Sequence, residues 1–148
     1  MKSNYTKLAI MLVISFIIMY AVMFFNVAEL NHIYLSTTRF YMALLMVSPM
    51  ALVMLFMMGK MYPDKKKNLL IGISGSVVFI LAFVLLRAQI PIQDVQYMKA
   101  MIPHHSSAIL TSENADIRDP EVKKLAQEII KAQKEEIAQM KKMLERLD

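Results

Sequence analysis

Cysteine is absent from these 148 residues, which excludes disulfides, zinc–thiolate sites and thiol redox chemistry. Any soft metal ligand must therefore be methionine, of which there are 15, while histidine numbers only three. Acidic residues are nearly missing from the first part. Residues 1–87 hold two Asp/Glu against eight Lys/Arg, whereas residues 88–148 hold ten against nine. The net charge of +5 thus belongs to the first part, where it reports membrane orientation and gives no sign of a nucleic-acid partner.

What is present in quantity is apolar sequence, 57% of the chain, too much for an ordinary soluble domain. Lys2 and Lys7 precede an apolar run over residues 8–30, long enough to cross a bilayer and too long for a typical signal-peptide core, with no small-x-small cleavage site after it. Residues 40–61 and 69–86 form two further runs, separated by a basic connection in which Pro63 stops the helix. Lys2, Lys7, Lys60, Lys65, Lys66 and Lys67 fall on one side, which the positive-inside rule makes cytoplasmic. Three spans then leave the C-terminal region outside the cytoplasm, in a multi-pass membrane protein. The division is a membrane domain, residues 1–87, and a second domain, residues 88–148. Met46, Met50, Met54, Met57 and Met61 repeat at helical spacing in the second span, and packing is the favoured reading of that stripe.

Beyond Arg87, Asp94 is a plausible cap for a helix running to about Glu113. Asp119-Pro120-Glu121 then reads as cap, proline at the first position and acid in the first turn. Val122, Leu125, Ile129, Gln133, Glu136, Met140, Met143 and Leu147 recur every three or four residues, the mark of an amphipathic helix. The two helices should form an antiparallel hairpin. A hairpin alone buries too little surface to be stable, so a second copy of the chain, making a four-helix bundle, is the simplest partner, with packing on the spans as the alternative.

Met98, Met101, His104 and His105 lie at offsets of three and four, so they share a helix face. Pro103 sits among them and would re-aim the imidazoles through a kink. Antiparallel pairing puts Met101 and His104 near the level of Ile129 and Gln133, and Met98 near Glu136, with Met140 farther along. Thioether with imidazole and no thiolate suits copper best and zinc second. A di-iron centre would need Glu three residues before each histidine, and neither has one. Spacing alone leaves the alternative open, in which the histidines mark a kink and the methionines are core. His32, on the same side by topology, is a minor candidate. No enzyme chemistry is expected, because Ser106 and Ser107 point away from their histidine neighbours and no acid is placed to orient a base.

Met101-Ile-Pro-His-His105, followed by Asp119-Pro-Glu-Val and the run from Leu125 to Met140, resembles the family known as domain of unknown function 305. The resemblance covers roughly residues 94–147. It implies a ferritin-like helical fold, often exported or membrane-anchored, in a family linked to copper binding and tolerance. The residues it carries over as metal ligands are Met98, Met101, His104, His105, Gln133, Glu136 and Met140. Fuller members have two helix pairs where this chain has one, which favours a dimer; Ser106-Ser107 stands where many have Gln-Gly. The expected protein is all-α: three transmembrane helices, then an extracytoplasmic hairpin that is half of a ferritin-like bundle. Its expected function is copper sequestration, tolerance or hand-over, with copper as Cu(I), membrane lipid, a second copy and an unidentified copper donor or acceptor as partners. The alternative is an oligomerisation module that binds no metal.

Overall fold

The computed structural model describes residues 4–147, which form five α-helices and no strand. Helices α1 (Asn4–Val22), α2 (Thr37–Met57) and α3 (Lys65–Ala88) are each long and apolar enough to cross a membrane. They are followed by α4 (Asp94–Asn114) and α5 (Pro120–Leu147). The chain forms two compact units. One holds the three apolar helices. The other holds α4 and α5 together with the segment Met23–Thr37, which a cut at residue 87 would have assigned to the membrane part.

That regrouping corrects the first span, which ends at Val22 and not at residue 30. Beyond it the backbone exchanges helical bonds for bonds to α4. The Ala28 N–H donates to Ser106 Oγ at 2.8 Å, and Asn26 Nδ2 donates to Ser107 Oγ at 2.8 Å. A short 3₁₀ turn, Leu30–His32, follows. The second span begins earlier than residue 40 and stops at Met57, and the third begins at Lys65, capped by the Asp64 carboxylate on the Lys66 and Lys67 N–H groups.

Within the first unit, small residues line the buried side of α2: Ala43, Ser48 and Ala51. A Cβ added to Gly75 of α3 would stand 3.7 Å from the Ser48 carbonyl oxygen, so these two helices approach backbone to backbone. Phe16 of α1 meets Phe40 of α2 edge-on at 5.2 Å. Met46 and Met57 are exposed, Met50 and Met54 are half-buried, and Met61 lies past the end of α2. At one end of the unit Tyr5 Oη donates to Asn68 Oδ1 at 2.9 Å and lies under the Lys67 ammonium. The start of α1 and the basic connection are therefore neighbours. Lys2, counted with that basic group, lies outside the described residues.

In the second unit, Asp94 is the first residue of α4 and not its cap; Gln93 takes the cap position without a side-chain bond. The helix runs on through Pro103, which is buried. Asp119 caps α5 as its sequence indicates, Oδ1 accepting from the N–H groups of Glu121 (2.9 Å) and Val122 (3.0 Å). Met98, Ile102 and Ile109 of α4 pack on Ile137 and Leu144 of α5, with Val95, Ile130, Met140, Ala28 and Tyr34 around them. Ala126, Ile137 and Leu144 are the residues α5 buries, so its contact with α4 is rotated by about one residue from the expected stripe. Val122, Leu125, Met143 and Leu147 stay exposed. The apolar arc of α5 covers roughly 140° at 100° per residue, and α4 occupies one edge of it.

Candidate metal centre

Of the seven residues singled out, the structure joins two pairs. His105 Nδ1 lies 3.0 Å from Glu136 Oε2. Although this is ion-pair distance, the nitrogen is buried and has no aligned hydrogen bond. Met98 and Met140 meet in a cavity of about 280 Å³, together with Asp94, Tyr97, Met143, Arg146 and Leu147. The register therefore differs from the expected one by about a turn: Glu136 stands opposite His105, and Met140 opposite Met98. Lys134 Nζ donates to Glu113 Oε1 at 2.8 Å, tying the last turn of α4 to the middle of α5. Apolar packing selects this register, because it stacks Ile102 and Ile109 against Ile137 and Leu144.

His104 is exposed, its ring 6.0 Å from that of His105 and tilted by 60°. Met101 and Gln133 are half-buried. Among the described residues no group of three or more His, Asp or Glu converges as a metal cage. The His105–Glu136 pair and the Met98–Met140 pair are thus separate, Met98 lying about two turns from His105 along α4. Met143 was not among the ligand candidates, although its offset of three from Met140 places both on one face.

The larger omission is the role of the segment Met23–Thr37. It lies along one flank of α4, where Ser106 is fully buried. Besides accepting from Ala28, Ser106 Oγ lies 2.9 Å from His32 Nδ1, and His32 Nε2 lies 3.9 Å from Glu29 Oε2. When the Ser106 hydroxyl donates to Nδ1, Nε2–H faces the carboxylate, so one tautomer satisfies both neighbours. The backbone N–H of Thr37 donates to Gln96 Oε1 (2.9 Å), and Lys141 Nζ donates to Asn31 Oδ1 (2.9 Å). His32 thus joins Ser106, and an acid does stand beyond the imidazole, contrary to expectation. A Ser–His–Glu series can signal a nucleophile. Here the Ser106 side chain has no solvent exposure and its oxygen already holds a backbone N–H, so its evident work is to fasten the segment.

The buried His32 and the half-buried His105 imidazoles are both held below the usual histidine range. For His32 burial is the main cause, then Lys141, with Glu29 opposing. For His105 burial leads, Glu136 opposes and His104 adds to the lowering. Below the unfolded value of about 6.5 the unfolded chain binds more protons than the folded one. The stability these groups confer is complete above that value and is lost as pH falls through their folded values. Acidifying from about pH 7.5 to 5 should accordingly lower the thermal midpoint of the second unit. His32→Gln should flatten the dependence; an unchanged slope would remove His32 as a source.

Residues 84–148 match a family model described as Domain of unknown function (DUF305). The Uncharacterized protein L153 of Acanthamoeba polyphaga mimivirus is 36% identical over 145 residues, which are 96% of this chain and 93% of that protein. No solved structure matches. The viral relative matches far outside residues 84–148, so the apolar helices belong to the shared architecture. On these matches the chain belongs to the DUF305 family, its family domain lying behind three helices of membrane-spanning length.

Proposed function

We propose that this protein captures copper, as Cu(I), on the extracytoplasmic side of a membrane, for sequestration or hand-over. The observation that carries this reading is the buried His105 Nδ1, within reach of a carboxylate yet without an aligned hydrogen bond. A buried imidazole nitrogen ordinarily has a partner, and a metal ion would supply one, with Glu136 beside it. Met98, Met101 and Met140 offer thioethers in a chain without thiols, donors that favour Cu(I) over zinc and over hard cations. Family membership adds weight, and so does the clustering of basic residues at one end of the first unit, the end that the positive-inside rule favours for the cytoplasm. In this reading the helices α4 and α5 are a half of a ferritin-like bundle.

Cu(I) titration of the detergent-purified protein against a competing chelator tests the site. Replacing both His104 and His105 by alanine should lower affinity by about 100-fold. Unchanged affinity and stoichiometry would remove the assignment. The rival reading, an oligomerisation module without metal, predicts that the thermal midpoint ignores both added copper and chelators, whereas ligand linkage raises it with copper.

A further inference from the structure

The pair α4–α5 has two broad flanks, and among the described residues one of them is covered. The segment Met23–Thr37 reaches Gln96, Ser106 and Ser107 of α4 and Lys141 of α5. At 100° per residue, Tyr97, Met101 and His104 stand on the opposite flank of α4. On α5 the same open flank carries Val122, Leu125, Ile129, Met143 and Leu147, which remain 36–55% exposed. Between them it carries Gln133 and Glu136, half-buried and exposed. From Val122 to Leu147 the strip is about 38 Å long at 1.5 Å per residue. A helix laid along it, with its neighbour, would bury on the order of 1,000 Å², the scale of a specific interface.

The order of residues identifies the occupant. Read from either end, the strip runs apolar, apolar, apolar, polar: Val122, Leu125, Ile129, Gln133 from one side and Leu147, Met143, Met140, Glu136 from the other. In a parallel pair each level meets its own copy. In an antiparallel pair only a strip symmetrical about its midpoint matches, and this one does. We infer that a second copy of this chain packs on the open flank and that the two copies share one metal centre. The contact is isologous, so either direction brings both polar midpoints together. That juxtaposes two Gln133 and two Glu136, with His105 behind each Glu136 and His104 and Met101 on the same flank. Among the described residues one chain gathers no three His, Asp or Glu groups around a point; two copies double the supply at the axis. The docking follows from the strip itself, while the shared centre rests on the copper reading.

The absence of native cysteine makes a direct test available in membranes that hold the full chain. Gln133→Cys should give a disulfide-linked dimer under mild oxidation, while Lys131→Cys, on the far side of α5, should stay monomeric. Equal behaviour of the two variants overturns the docking. Ile129→Glu, at a position exposed in the single chain, should keep its helicity, fall to the mass of one chain in detergent and lose Cu(I) affinity by about tenfold or more. Unaltered affinity in that monomer overturns the shared centre and leaves the copper reading standing. A wild-type dimer that binds no Cu(I) overturns the copper reading and leaves the docking standing.

Discussion

Replacing Ile102 by alanine is expected to destabilise the second unit by about 2–5 kcal/mol, measured as lost hydrogen-exchange protection of the α4 and α5 amides. Ile102 has no solvent exposure and lies in the cluster formed with Met98, Ile109, Ile137 and Leu144. Its neighbours are rigid on two sides, since Pro103 follows it and α5 presents branched Ile137. The hole left by truncation would therefore close poorly, and the loss should fall in the upper part of the range. The cluster is also small, with few other contacts to absorb the change. Ile109→Val, which removes a single methylene from the same cluster, should cost about 0.5–1.5 kcal/mol. Equal effects of the two substitutions would mean that Ile102 is not held as described.

What could be read from the sequence divides along a physical line. The three apolar helices were legible because bilayer thickness and helical rise fix the length of the run. The start of α5 was legible because Asp119 and Pro120 act on their own backbone. The end of α1 was not. Residues 23–30 prolong the apolar run, broken only by Asn26 and Glu29, and the partner that Ala28 takes in place of a helical bond is Ser106, 78 residues beyond it. The apolar arc of α5 was legible as a set of residues, but not which edge faces α4, because Val122 and Ala126 both lie within it. Within the candidate site the residue types were visible and the pairings were not. A shift of one turn exchanged Glu136 for Met140 opposite Met98, and only the packing of Ile102 and Ile109 decides between those registers.

The segment Met23–Thr37 makes the second large effect. Ser106→Ala is expected to cost about 2–6 kcal/mol, because it leaves two groups unpaired at once, each worth about 1–3 kcal/mol. The Ala28 N–H loses its acceptor, and the 5%-exposed His32 loses the partner of Nδ1. Exchange of the Ala28 amide should accelerate more than that of the α4 amides, since the segment lifts away before the core of α4 and α5 opens. In a double-mutant cycle, Ser106→Ala and His32→Ala should couple by about 0.5–3 kcal/mol. Additive effects would mean that His32 and Ser106 do not depend on each other. Ser106 directly follows His105, so the same variant tests whether fastening the segment also aims the imidazole. If it does, Cu(I) affinity falls by about 10-fold while Glu136→Gln produces no change at the Ala28 amide. The two readouts then separate the group that holds the segment from the group that faces the metal.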